Sequence, residues 1–140
     1  MSARFFLDSN VFIYSFDESA PEKAHEALRL IRRAHDSRQG VISFQVIQEF
    51  FQFALRRSVP PMASADADDY LKKVLIPLTR IHSSPGLYSE ALHVQSRYRL
   101  SWYDALIVTE ALEAGCGTLY SEDLQDGQRF GDLRVQNPFA

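Results

Sequence analysis

Hydrophobic positions occur along this chain in two rhythms, short unbroken runs and longer stretches of helical spacing, and the two alternate from end to end. The first run, Phe5 to Tyr14, is broken only at its centre, by Asp8, Ser9 and Asn10. Phe5 to Leu7 therefore predicts a buried strand, Asp8 to Asn10 the turn at its C-terminal end, and Val11 to Tyr14 a following helix that Asp8 could cap. Ala20-Pro21-Glu22 opens a second helix, with proline where a first turn tolerates it, and Ala24, Ala27, Leu28 and Ile31 carry it to about His35. Past Gly40, Val41 to Ser43 gives a second short strand.

Phe44 to Arg57 returns to helical spacing, with Val46, Ile47, Phe50, Phe51, Ala54 and Leu55 on an apolar face and Gln45, Gln48, Glu49, Gln52 and Arg56 on a polar one. Pro60-Pro61 breaks the chain before Ser64, where Asp66, Asp68 and Asp69 sit at the end of a helix that favours acids. That helix continues through Tyr70, Leu71, Val74 and Leu75 and is stopped by Pro77. Leu78 to Ile81 reads as a third strand, and Ser84-Pro85 starts a helix that Arg97 and Arg99 close. Ser101 followed by Asp104 has the form of a capping box for a helix ending at Ala114, before Gly115. Thr118 to Tyr120 and Leu133 to Val135 supply the last two strands. Such alternation predicts an α/β fold, helices sandwiching a central parallel sheet of four to five strands. No repeat, low-complexity tract or linker divides residues 1–140, so one domain is expected.

Composition narrows the class. At 140 residues, 46% hydrophobic and 24% charged, the chain can bury about two thirds of its unfolded surface without a staple. Its one cysteine, Cys116, leaves no disulfide framework or cysteine zinc site, which points to a reducing compartment, the cytoplasm. No apolar stretch approaches the roughly 20 residues of a membrane-spanning helix, and no signal-peptide pattern occurs. A net charge of −3 argues against holding nucleic acid by bulk positive field. It leaves room for a nuclease, whose acidic metal site can conceal local basic patches. Lys23, Arg29, Arg32, Arg33 and Arg38 form one such set, although a solvated face is the ordinary reading of any one of them.

Candidate chemistry lies where strands end, because ligands and catalytic groups of parallel sheets gather outside the carboxyl ends. Asp8 ends the first strand, Asp123 follows the fourth, Asp104 opens a helix, and Glu49 lies near the start of a helix that follows a strand. Each also has a plain structural reading: Asp8 as a cap, Glu49 as a solvated position on a polar face, Asp104 as part of its capping box. Asp66, Asp68 and Asp69 are explained by the helix dipole without a metal. His25, His35, His82 and His93 are scattered without ligand spacing, and ordinary surface or packing roles are expected of them.

The order of four motifs carries a family resemblance. Leu-Asp-Ser-Asn-Val at Leu7 to Val11, Ile-Ser-Phe-Gln-Val-Ile-Gln-Glu-Phe at Ile42 to Phe50, Leu-Ser-Trp-Tyr-Asp-Ala-Leu-Ile at Leu100 to Ile107 and Leu-Tyr-Ser-Glu-Asp-Leu at Leu119 to Leu124 resemble a PIN-domain ribonuclease, most of all the VapC-type toxins of toxin–antitoxin pairs. Val135-Gln136-Asn137-Pro138-Phe139 is usual there too, so the likeness spans nearly the whole chain. It implies a PIN-like α/β/α sandwich, an acidic cluster at Asp8, Glu49, Asp104 and Asp123, and supporting polar residues at Asn10 and Ser121. Glu122 and Asp126 flank the fourth position and compete with Asp123 for it.

Such a cluster suits hard cations such as Mg²⁺ or Mn²⁺, which take carboxylate, water and phosphate oxygens. Two enzyme classes compete. A haloacid-dehalogenase-type phosphatase needs a second acid two residues after Asp8, where this chain has Asn10, and a response-regulator receiver needs a lysine after a late strand, whereas none follows Lys73. A catalytically degenerate PIN-like module binding RNA or protein is the non-enzymatic alternative. The resemblance further implies an RNA substrate, a cognate antitoxin that covers a hydrophobic groove, and a homodimer. Phe44, Phe50, Phe51, Phe53, Trp102 and Tyr103 are numerous enough that an exposed share is expected, although for any one of them the core is the ordinary place.

Overall fold

The computed structural model describes residues 2–140. Its strands are β1 (Phe5–Leu7), β2 (Gly40–Ser43), β3 (Thr79–Ile81), β4 (Thr118–Tyr120), β5 (Arg129–Phe130) and β6 (Leu133–Gln136), and its helices are α1 (Ser9–Tyr14), α2 (Pro21–Ser37), α3 (Phe44–Arg56), α4 (Ser64–Tyr70), α5 (Pro85–Tyr98) and α6 (Trp102–Glu113). The strands form one sheet in the order β3-β2-β1-β4-β6-β5. Every neighbouring pair is parallel except β5 against β6. The central strands are apolar because both of their faces are covered, and all of Phe5, Phe6, Leu7, Val41 and Ile42 are buried.

Register places the helices. Phe5 lies beside Thr118 and Thr118 beside Arg134, so these residues share one face of the sheet; Arg33 of α2 stands 4.5 Å over the Phe5 ring on that face. Phe130 points to the other face, where the ring of Tyr98 from α5 meets it at 4.8 Å. Helices start where side chains satisfy their free amides. Ser43 accepts from the Val46 N–H, Ser84 from that of Leu87 and Ser101 from that of Asp104. Among the described residues no helix is long and apolar enough to cross a membrane.

Two expectations need correction. The sheet has six strands rather than four to five, because β5 is only Arg129–Phe130, too short to carry a period of two, and it turns back through Gly131 at φ +61°. The helix from Ser64 does not run unbroken to Pro77. Beyond Tyr70 it widens into a π-helical turn, Leu71–Leu75, then tightens into a 3₁₀ turn, Ile76–Leu78, so β3 begins at Thr79 instead of Leu78. Proline has no N–H to give an α-helix, and the 3₁₀ turn seats Pro77 where none is needed. Of the acidic trio only Asp66 lies in the first turn of α4, where the dipole favours it, whereas Asp68 and Asp69 pair with Lys72 and Lys73 at 2.8 and 2.9 Å.

Close approach explains one glycine. A Cβ on Gly40 would lie 2.1 Å from the Ala34 Cβ, so β2 can leave α2 this tightly only without a side chain. Gly40→Ala should therefore cost about 1–3 kcal/mol through overpacking. Gly86, inside α5, meets nothing nearer than the Ser84 Oγ at 4.0 Å, and Gly86→Ala should be neutral or stabilising by up to about 1 kcal/mol. Urea unfolding of the two variants reads the opposite signs.

Candidate active site

Strand order reverses at β1, which has β2 on one side and β4 on the other, and the crevice outside the carboxyl ends of β1 and β4 is the topological switch point of the sheet. Asp8 stands there, only 4% exposed. One carboxylate oxygen accepts from the Ser9 N–H at 2.7 Å and the other from the Ser121 hydroxyl at 2.7 Å. Its backbone N–H donates to the Tyr120 carbonyl at 3.0 Å, which ties the turn to β4. Capping α1 and standing at the mouth are thus two uses of one side chain.

Three acids follow β4, and the structure separates them. Glu122 accepts from the Tyr14 hydroxyl at 2.6 Å and pairs with Lys23 at 3.1 Å, while Asp126 accepts from the Asn137 N–H at 2.8 Å. Asp123 faces the mouth, where the Asn10 amide donates to it at 3.3 Å. Ser121 serves both sides, donating to Asp8 and accepting from the Asp123 N–H at 3.1 Å.

Glu49 is half-buried, not a solvated position, and the Gln45 amide donates to its carboxylate at 3.4 Å. Buried Gln45 also reaches the Tyr103 carbonyl at 3.4 Å, linking α3 to the start of α6, where Asp104 lies. The capping box at Asp104 is half formed. Ser101 accepts from the Asp104 N–H at 3.2 Å, but among the described residues the Asp104 carboxylate makes no hydrogen bond in return and is left to the mouth.

Electrostatics tie these acids together. Burial pushes Asp8 up to about 7, the charges of Glu49 and Asp123 push the same way, and the hydrogen bonds from Ser121 and Ser9 resist. Glu49 is raised by burial first and then by the charges of Asp123 and Asp104. Oxygen donors crowded until they resist ionising fit a hard cation in chemical kind, and the Asn10 amide oxygen, buried with no partner, adds a neutral donor. Among the described residues, however, no three His, Cys, Asp or Glu stand close enough to hold one ion as they lie. The carboxylates would have to turn inward to close on it.

Sequence reasoning missed Glu110. It is fully buried, accepts a hydrogen bond from the Ser43 hydroxyl, and leaves its second oxygen without a partner. Burial, with the charges of Asp8 and Glu49 behind it, raises Glu110 to about 8, so it keeps its proton at neutral pH. Ser43 in turn caps α3, the helix that carries Glu49. The signal was present in the chain: Ala105 to Ala111 is apolar nearly all round, the mark of a buried helix, and an acid inside it must be buried too.

Asp8 and Glu110 set a pH dependence. A carboxyl raised in the folded state binds a proton that the unfolded chain has released, so its contribution is full below its ordinary value, roughly 4, and is lost as pH rises through the folded value. Metal-free protein should lose stability from about pH 4 up to about pH 8, by at most about 1.4 kcal/mol per pH unit for each group. Asp8→Asn should remove the part of the fall that ends near pH 7. Glu110→Gln should remove the part that extends to about 8. Urea midpoints across this range check both, and an unaltered pH profile in either variant would refute the corresponding shift.

The comparisons with known proteins agree with this geometry. The pattern of the PIN domain matches residues 5–127. No curated protein sequence matches the chain. Among solved structures, a toxin–antitoxin complex from Klebsiella pneumoniae is similar at 18% identity and a TM-score of 0.64, over 97% of this chain and 98% of that one. FitAcB from Neisseria gonorrhoeae is similar at 16% identity and a TM-score of 0.62, over 96% and 98%. VapC20 from Mycobacterium tuberculosis, described as a toxin that cleaves the sarcin–ricin loop, is similar at 19% identity and a TM-score of 0.60, over 85% and 89%. At such identities these structures speak to the fold. The family pattern says more: it runs from β1 to the turn after β4 and takes in every element that brings an acid to the mouth, and on that footing the chain belongs to the PIN-domain family.

Proposed function

We propose that this chain is a metal-dependent endoribonuclease, acting as the toxin of a toxin–antitoxin pair. What supports this reading is that Asp8, at the switch point of the sheet, feels the charges of Glu49 and Asp123, and Glu49 those of Asp123 and Asp104, while Ser121 and Asn10 join Asp8 and Asp123 by hydrogen bonds. The solved relatives favour it, since one is described as a toxin–antitoxin complex and another as a toxin that cleaves the sarcin–ricin loop.

In this reading the four acids would hold Mg²⁺ or Mn²⁺. When bound, such an ion polarises the scissile phosphodiester, lowers the pKa of a water for attack and stabilises the leaving oxygen. The chain's own part is to hold the donors in place. Ser121 fixes Asp8 and, through its other hydrogen bond, the backbone of Asp123, while Asn10 braces the Asp123 carboxylate. Gln45 orients Glu49 and couples it to the start of α6. These groups stand on strand ends and first helical turns, so the backbone sets their positions and only the carboxylate side chains would turn to close on the ion.

The antitoxin is proposed to occupy a cleft of about 720 Å³ between the α1–α2 turn and the end of α3, lined by Phe16, Phe50, Phe53, Pro60, Pro61 and Met62. Phe16 is 46% and Val59 95% exposed there, whereas Phe50 is core. A homodimer would use the outer face of α5 and α6, where Leu92 and Leu112 are 56% and 38% exposed. The cytoplasm is the proposed compartment. A second reading, a PIN-like module that binds without cutting, draws on the spacing of the acids, no three of which close on one ion among the described residues.

Cleavage separates the two. Purified protein should cut RNA with Mg²⁺ or Mn²⁺ and lose that activity in chelator. Asp104→Asn should lower the rate roughly a hundredfold or more, while the melting curve barely moves. Ser101→Ala, which removes only the cap, should cost about 1 kcal/mol of stability and leave the chemical step nearly intact. Near wild-type cleavage by Asp104→Asn would remove that acid from the site, and no cleavage by wild type with either ion would favour the binding module. A stability measurement adds an arm that needs no substrate: millimolar Mg²⁺ should raise the melting temperature of the wild type more than that of Asp8→Asn. Equal shifts would show that Asp8 does not help hold the ion.

A further inference from the structure

We propose that the open face of β4, β6 and β5 is a binding surface for the phosphate backbone of single-stranded RNA, beside the acidic mouth and distinct from it. This rests on the ribonuclease reading for the identity of the nucleic acid. No helix follows β4, so the side of the sheet shared with α2 is left uncovered at β6 and β5. On it Arg134 stands beside Thr118 and directly opposite Arg129, both arginines exposed, with Gln136 next along β6. Arg33 from α2 completes the row, held over the Phe5 ring at 4.5 Å and donating to the Tyr120 hydroxyl at 3.2 Å. At about 4.8 Å per strand, the row from Phe5 to Arg129 is about 14 Å wide.

Charge is the argument for the occupant. Among the described residues none of Arg33, Arg129 and Arg134 makes an ion pair, so three guanidinium groups stand unneutralised along one face of a chain whose net charge is −3. Like charges directly opposite on neighbouring strands are destabilising, so Arg129 and Arg134 form a standing repulsion that an anion would relieve. The acids of the mouth repel a polyanion, and attraction must come from beside them. β4 and β6 run toward that mouth, and Ser121 lies three residues past Thr118, about 10 Å along the strand. Exposed side chains on this face are arginine and glutamine, without the exposed aromatic anchors on which protein interfaces turn. A row of arginines without stacking aromatics suits contact with the phosphate backbone through charge alone, independent of base sequence.

The test compares Arg129→Gln/Arg134→Gln with Lys72→Gln/Lys73→Gln, which removes the same charge from elsewhere on the surface. Binding of a labelled single-stranded RNA is read by fluorescence anisotropy in chelator, over a series of salt concentrations, so that nothing is cut. Affinity of the first variant should fall roughly tenfold at moderate salt, and the slope of log K against log salt should flatten by about 0.7 for each phosphate that is no longer neutralised. Arg129→Lys/Arg134→Lys should restore most of both, and the control should match wild type. Unchanged affinity and slope in Arg129→Gln/Arg134→Gln, or losses no larger than those of the control, would overturn the proposal. So would retained RNA affinity with lost binding of polyglutamate, which would assign the face to an acidic polypeptide. Cleavage of the shortest RNA that wild type cuts should survive in the first variant. Absence of cleavage by wild type would count against the nuclease reading and leave the binding result standing.

Discussion

Keeping a carboxylate at Asp8, in a place that water barely reaches, is the constraint to which the rest of the site answers. Desolvation alone favours the protonated acid, and Glu49 and Asp123 add their charges to that preference. What holds the side chain in place is two short hydrogen bonds, one from its own helix and one from the far side of the switch point. The second comes from Ser121 at the end of β4, so the neighbouring strands β1 and β4 are joined not only by their ladder but by the site itself. Under the proposed nuclease reading, a cation bound there would relieve repulsion that the fold otherwise carries.

Glu110 extends the same logic inward. Its proton stays on at neutral pH, so it sits behind the mouth as a neutral hydrogen-bonding group that receives the Ser43 hydroxyl. Ser43 ends β2 and caps α3, so one buried hydrogen bond lies where α6, β2 and α3 meet. Glu49 and Asp104 are thus carried by helices that share an internal fastening as well as the Gln45 link at their outer ends.

Much of this is legible in the chain. The apolar triplet Phe5 to Leu7, the proline at Pro21 and the serines at Ser84 and Ser101 state their structures locally, and the strands and helices follow. Asp8, Glu49, Asp104 and Asp123 stand out by position and by motif, but their mutual approach depends on strand order, which no local pattern records. The choice among Glu122, Asp123 and Asp126 is illegible for the same reason: it turns on Lys23, Tyr14 and Asn137, distant in sequence. β5 has too few residues to show a period, and Glu110 is legible only through the apolar stretch Ala105 to Ala111 around it, since no motif marks the residue itself.

The short antiparallel strand β5 also bears on how the molecule can associate. An open sheet invites further strands at its edges, and proteins discourage this with brief edge strands and outward charges. Here one edge is the two-residue β5, with Arg129 exposed, and the other is the three-residue β3, where exposed Arg80 crosses to the Arg38 carbonyl and Pro77 lies just upstream. Neither offers a ladder long enough to template another chain. Pairing with another chain through the sheet edges is therefore disfavoured, which leaves contacts to side chains on the helices, in the cleft and on the open sheet face, and removes one route by which the sheet could seed fibrous growth.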